Sequence, residues 1–254
     1  MLEIIQIPVL TDNYIYLLHD PVSRDTAVVD PALAQPVLDV LTEKGWQLTT
    51  VLNTHHHWDH VGANLELKQK TGCKVIAGQL DAERVPGLDQ GVFEGDIISL
   101  GEHEATVIET PGHTSGHVVY YFAKDDALFC GDTLFAMGCG RLFEGTAEQM
   151  WSSLQKLKVL PASTRVYCTH EYTQANGRFA LSIEPDNLQI QQRMIEVVAL
   201  RLANKPTVPS TIGEERATNP FFREGSSCLQ KKLGLENQAP VSVFTVLRKL
   251  KDSF

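Results

Sequence analysis

No stretch of this 254-residue sequence approaches the ~18 consecutive apolar residues that a helix needs to cross a bilayer. The N-terminus, Met1-Leu2-Glu3-Ile4-Ile5-Gln6-Ile7-Pro8, has no basic region before an apolar stretch, so it reads as a first strand rather than a signal or transit peptide. Cysteine is sparse and odd in number: Cys73, Cys130, Cys139, Cys168 and Cys228, with no Cys-x-x-Cys pair. That argues against a disulfide framework and fits a reducing, cytoplasmic setting. Positive charge is in deficit, with 22 Lys and Arg against 31 Asp and Glu, a net charge of −9. A surface of that sign, without basic runs, argues against nucleic-acid binding. It leaves room for a local basic patch facing a small anionic substrate. Internal repeats and low-complexity linkers are also missing.

What is present is a foldable chain. Hydrophobic residues make up 43% of it, enough for a substantial core in one large domain or a main domain with a smaller one. Short β-prone runs separated by turn residues predict strands at 2–7, 13–18, 26–29, 48–52, 74–77, 97–100, 105–109, 118–122, 127–130 and 165–168. Helical spacing predicts helices at 36–44, stopped by Gly45, and at 62–70, stopped by Gly72. Thr146-Ala147-Glu148-Gln149 is a capping box opening a helix to about Lys158. After Tyr172 the character changes, with helices expected at 189–203 and 241–251. The expectation is an α/β domain over 1–173 and a smaller helical domain over 174–254.

Chemistry concentrates in Thr54-His55-His56-His57-Trp58-Asp59-His60, directly after the apolar Val51-Leu52-Asn53. Imidazoles with a carboxylate suit zinc, iron or manganese better than calcium or magnesium. A solvated histidine tract is the plain alternative, but an Asp in this register speaks against it. In an extended segment His55 and His57 point to one side and His56 to the other. Asp59 and His60 are adjacent and need a turn to share a metal, which the approach to Gly62 allows. Further candidates each follow a predicted strand: His113 in Pro111-Gly112-His113-Thr114, Asp132 in Gly131-Asp132-Thr133, and His170 in Cys168-Thr169-His170-Glu171. Residues on loops behind rigid strands are where sites are commonly built. His117 reads as supporting or structural, His19 and His103 as ordinary surface residues, and Cys139 and Cys168 as packing residues.

His-x-His-x-Asp-His, then Gly-His-Thr, Gly-Asp-Thr and a late His resemble the pattern of the metallo-β-lactamase superfamily. Thr11-Asp12-Asn13-Tyr14, Cys130-Gly131-Asp132-Thr133-Leu134-Phe135, Gly138-Cys139-Gly140-Arg141, Cys168-Thr169-His170-Glu171-Tyr172 and Asn219-Pro220-Phe221 resemble glyoxalase II, the hydroxyacylglutathione hydrolases, more closely still. The resemblance implies an αββα sandwich with a C-terminal all-helical domain. It implies two divalent metal ions, zinc foremost with iron or manganese open. His55, His57 and His113 would hold one, Asp59, His60 and His170 the other, and Asp132 would bridge. It implies hydrolysis of S-D-lactoylglutathione by a metal-bound hydroxide, the second step of methylglyoxal detoxification, with Asp59 and Asp132 catalytic. Arg141, Tyr172, Arg248 and Lys251 map onto the family's glutathione-binding positions, and a monomer is expected, with no nucleic-acid or membrane partner. Two departures stand out: the family often has Lys where Arg141 stands and Tyr where Phe143 stands. A persulfide dioxygenase with one iron shares the early motifs but is disfavoured by the helical tail. Asp132, where the best-known β-lactamases carry a metal-binding Cys, disfavours that activity.

Overall fold

The computed structural model describes residues Met1–Phe254. The chain divides into two compact units, one of Met1–Glu109 with Thr114–Gly131, the other of Thr110–His113 with Asp132–Phe254.

The first unit contains a six-stranded mixed sheet: β1 (Glu3–Val9), β2 (Asn13–His19), β3 (Asp25–Val29), β4 (Gln47–Asn53), β5 (Lys74–Gly78) and β6 (Gln90–Val92), in chain order. The pairs from β1 to β3 are antiparallel and those from β3 to β6 parallel. Parallel neighbours need crossovers. Helix α1 (Ala34–Lys44) makes the first, and α2 (Trp58–Val61) with α3 (Asn64–Thr71) the second. Every residue of β2 is buried, which is how a strand covered on both faces behaves. The core of this region joins Ile15, Leu17 and Val28 to Val37, Leu41, Val51, Leu67 and Val75. Four further strands, β7 (Ile97–Leu100), β8 (His103–Glu109), β9 (Val118–Phe122) and β10 (Ala127–Gly131), form an antiparallel meander in the same unit.

Helices dominate the second unit. A hairpin of β11 (Leu134–Phe135) and β12 (Gly138–Cys139) precedes α4 (Ala147–Lys158), whose predicted capping box between Thr146 and Gln149 is formed in both directions. Strand β13 (Arg165–Cys168) pairs with β14 (Ser210–Thr211). Between them lie α5 (Thr173–Ile183) and α6 (Leu188–Leu202), and after them α7 (Ile212–Thr218), α8 (Ser227–Leu233) and α9 (Pro240–Asp252). Helices α5 and α6 pack through Met137, Ala180, Ile190, Met194 and Val197. Buried Glu215 holds the β11–β12 hairpin in place. It accepts the Met137 N–H at 2.7 Å and the Asn219 side-chain amide at 2.9 Å, and pairs with Arg193 at 2.7 Å.

The structure corrects three expectations. The helix foreseen at 62–70 is α3, which begins two residues later at Asn64 and follows a separate single turn, α2, over Trp58–Val61; between them Gly62 packs closely, a Cβ there falling 2.7 Å from the Ala32 carbonyl. His19 is buried, its Nδ1 2.8 Å from Thr26 Oγ1 and its ring stacked on Trp46. His103 is largely covered, with Nδ1 2.6 Å from Asp125. Neither is an ordinary surface residue.

Candidate metal centre and cationic cleft

Donor residues occur in each unit. In the first, the chain leaves β4 at Asn53 and passes straight into the histidine segment, while Asp30, just beyond β3, holds both ends of that segment. Asp30 takes the Thr54 N–H at 2.8 Å and the Thr54 hydroxyl at 2.7 Å, and its Oδ2 lies 3.0 Å from His60 Nδ1. These bonds fix tautomers. A carboxylate only accepts, so His60 carries its proton on Nδ1 and its lone pair on Nε2. The single Thr54 hydroxyl hydrogen goes to Asp30, so at 3.1 Å it accepts from His55 Nδ1–H, which puts the His55 lone pair on Nε2. A metal-binding histidine is typically oriented in this way by a bond from its other nitrogen.

Asp59 and His60 lie in the single turn of α2, which supplies the bend their adjacency requires. The Asn13 side chain donates to Asp59 Oδ2 at 2.9 Å, and that oxygen is 3.6 Å from His60 Nε2. Asn53 donates to the His60 carbonyl at 2.8 Å. His55 Nε2 and His57 Nδ1 are 3.0 Å apart. His56 turns elsewhere, its Nδ1 2.9 Å from Asp81. His117 is buried with its ring stacked on His55 at 4.9 Å, a supporting wall.

In the second unit His113, Asp132 and His170 form a matching set. His113 donates from Nδ1 to the Arg141 carbonyl at 2.9 Å, which again leaves the lone pair on Nε2. Asp132 Oδ2 is 3.4 Å from His113 Nε2 and 3.5 Å from His170 Nε2. These separations can be tested against a metal. Two donors bound at about 2.0–2.2 Å with tetrahedral geometry sit roughly 3.3 Å apart. The donor pairs, at 3.0 to 3.6 Å, are spaced as edges of such a polyhedron. The residues fit divalent ions.

A cleft of about 420 Å³ lies in the second unit. His113 and Asp132 line it, and so do Arg141, Tyr172, Arg248 and Lys251, along with Phe135 and Phe143. All four residues expected to face substrate are therefore in one recess. Their states differ. Arg141 is exposed. The Tyr172 ring stacks on His170 at 4.8 Å and 4°. Arg248 is buried, and its guanidinium donates to the Cys139 carbonyl at 2.8 Å and to Asp252 at 2.9 Å. It ties α9 to β12 as well as charging the wall. Lys251 lies 5.6 Å from the Phe179 ring and 5.5 Å from Phe254. Desolvation, then the cations Arg248, Arg141 and Arg178, push its ammonium below the usual lysine pKa. Burial raises the Cys139 thiol and pushes Cys168 up to about 12, so neither is poised as a nucleophile.

Several contributors escaped sequence reasoning. Asp30 follows the apolar Val28-Val29, the same strand-then-polar signal that flagged Asp132. Asn13 stood inside the quoted Thr11-Asp12-Asn13-Tyr14 motif. Arg178 and Asn176 lie on α5, a helix the sequence reading did not identify.

Residues 10–170 match the family described as the metallo-beta-lactamase superfamily, and residues 171–254 match the hydroxyacylglutathione hydrolase C-terminus. The chain is 57% identical over 254 residues to a hydroxyacylglutathione hydrolase of Methylococcus capsulatus, covering 100% of this chain and 99% of the relative. It is 54% identical over 253 residues to the hydroxyacylglutathione hydrolase of Rhodospirillum rubrum, again covering 100% and 99%. Among solved structures it is similar to ETHE1 from Myxococcus xanthus, with TM-score 0.67 and 25% identity, covering 100% of this chain and 99% of that one. The fold is the metallo-β-lactamase αββα type with a helical C-terminal region, as the sequence implied.

Proposed function

Because the chain belongs to the hydroxyacylglutathione hydrolases of the metallo-β-lactamase superfamily, we propose that it hydrolyses S-D-lactoylglutathione and related 2-hydroxyacylglutathione thioesters to the hydroxy acid and glutathione, the second step of methylglyoxal detoxification. In this reading His55, His57 and His113 hold one divalent ion, Asp59, His60 and His170 hold a second, and Asp132 serves both. Zinc is the first candidate; iron and manganese accept the same donors. The lone-pair placement on His55, His60 and His113 and the donor spacings support this assignment. Bound ions of this kind supply Lewis acidity and a water that ionises near neutral pH.

The protein's own residues do the positioning. Asp59, steadied by Asn13, orients the nucleophilic water. Arg141 and Lys251 draw in glutathione carboxylates, Arg248 keeps the recess positive from behind, and Tyr172 lends a hydroxyl and a flat wall. The departing thiolate has a pKa of about 8.5, so no general acid is needed and none is assigned. The observation that carries the reading is the shared cleft, in which the donors His113 and Asp132 stand beside three cationic side chains. We assign residues 1–173 to catalysis and 174–254 to substrate binding, and the working form to a cytoplasmic monomer. The net charge of −9 and the predominance of buried thiols support that setting.

The test is turnover of S-D-lactoylglutathione, followed by loss of thioester absorbance, on protein of known metal content. Efficient hydrolysis is expected. Inert, fully metallated protein that instead consumes oxygen with glutathione persulfide would overturn the substrate assignment.

A further inference from the structure

We propose that Arg178 is a further substrate-binding residue, which takes the γ-glutamyl carboxylate of the glutathione thioester; the inference rests on the hydrolase reading above. Arg178 lies on α5, whose first turn already walls the cleft. Tyr172, just before that helix, and Ala175 and Asn176 within it line the recess. Phe179 carries the Lys251 ammonium over its ring at 5.6 Å. Positions 172, 175, 176 and 179 share one helical face. Arg178 flanks that face, three residues beyond Ala175 and beside Phe179, and it is exposed. It therefore stands at the rim, just past the point where α5 stops lining the recess.

Charge makes Arg178 more than a neighbour. Arg141, Arg248 and Lys251 line the recess, and Arg178 is close enough to act on the Lys251 ammonium, in a chain whose net charge is −9. The carboxylate that also acts on Lys251, Asp252, is taken by Arg248 at 2.9 Å. Arg248 is buried and donates as well to the Cys139 carbonyl, so its guanidinium is committed within the fold. Arg141, Arg178 and Lys251 make no ion pair. Like charges gathered without counterions attract an anion into the recess. Glutathione brings two carboxylates on arms of unequal length, and the γ-glutamyl arm is the longer because its amide is made through the side chain. The thioester belongs beside His113 and Asp132, and Arg141 stands at that end, its carbonyl accepting from His113 Nδ1 at 2.9 Å. The shorter glycyl arm falls to Arg141 and Lys251. The longer arm reaches the rim, where a guanidinium can take its carboxylate through two parallel hydrogen bonds.

Steady-state kinetics on two thioesters tests this, S-D-lactoylglutathione and S-D-lactoyl-N-acetylcysteinylglycine, which keeps the glycyl carboxylate and lacks the γ-glutamyl one. Arg178→Gln should raise KM for the first by roughly 3- to 10-fold, the yield of an exposed charge contact, with kcat nearly unchanged and KM for the second unmoved. The rise should shrink as salt is added. Arg178→Lys should recover most of the loss, and Arg178→Glu should exceed it. The effect cannot pass through Lys251, because removing a neighbouring cation favours the charged ammonium and would strengthen that contact. Lys249→Gln removes an equal charge from an exposed position of α9 that faces away from Lys251, and should change neither KM. An unchanged KM for lactoylglutathione in Arg178→Gln, an equal rise for both thioesters, a fall in kcat, or the same rise in Lys249→Gln would overturn the proposal. The parent protein separates this from the underlying reading. If it is fully metallated and hydrolyses neither thioester, the hydrolase reading fails and Arg178 falls with it; if it hydrolyses both, only the assignment of Arg178 is at stake.

Discussion

In the first unit His55 and His60 are fully buried, and each ring has its non-coordinating nitrogen in a hydrogen bond that leads back to Asp30. In the second, Arg141 is exposed and Lys251 is half-covered and flanked by other cations. The first region presents its donors already oriented, because the Nδ1 of each of these rings is committed to a hydrogen bond before any ligand arrives. The other is a recess in which Arg141, Arg248 and Lys251 stand together beside Phe135, Phe143 and Tyr172. The difference separates their tasks. Bond formation at the acyl carbon needs donors placed to a fraction of an ångström. A flexible tripeptide needs only a cationic recess that reaches its carboxylates.

The comparison breaks most sharply at Asp132, the donor proposed to serve both ions. Asp132→Ala should cost about 10²- to 10³-fold or more in kcat, the scale of removing a preorganised electrostatic stabiliser, with metal content falling below two ions per chain. Steady-state kinetics paired with metal analysis checks it. Next is Asp30, which touches no ion in this account. Asp30→Ala removes the partner of His60 and Thr54 together and should weaken metal affinity by about 10- to 100-fold, as read by chelator competition. Normal affinity in that variant would mean that the buried network does not orient the donors.

Substitutions in the recess should act on a different parameter. Arg141→Ala and Lys251→Ala should each raise KM by roughly 3- to 10-fold, the yield of a partly exposed charge contact of about 1 kcal/mol, with kcat nearly unchanged. A fall in kcat at constant KM would erase the distinction between the two regions. The smallest effect is in pH dependence. The protonated Lys251 ammonium attracts carboxylate, so its contribution is complete below its pKa and lost as pH rises through it. Because desolvation and neighbouring cations lower that pKa, KM should begin to climb before an ordinary lysine would titrate near 10.4. Lys251→Met should flatten that rise in a KM–pH profile.

Much of this was legible in the sequence, for reasons specific to each element. The strands of the first unit announced themselves because their apolar runs are bounded by turn residues, and the helix α4 because its capping box is written in Thr146 and Gln149. The donors proposed for the metal ions stood out in the sequence because they follow such strands. Helix α5 was not, because its buried face is Thr173, Asn176, Gly177 and Ala180 beside Phe179 and Ile183, which does not read as an apolar stripe. Gly177 is there for close packing, since a Cβ would strike the Met194 sulfur. The burial of His19 and His103 was equally hidden. It depends on Trp46, Asp125 and Thr26, partners that the fold, not the local sequence, supplies. Asp30 and Asp81 show the same limit. Each is an unremarked acidic residue in sequence, and only the folded chain brings it against the histidine segment.

The central claim is that two metal ions at one centre perform the hydrolysis. Titrating zinc into the stripped protein while following S-D-lactoylglutathione hydrolysis tests it most directly. The account predicts that the rate reaches its plateau only when the second equivalent has bound. A plateau at one equivalent, or hydrolysis indifferent to metal, would contradict it.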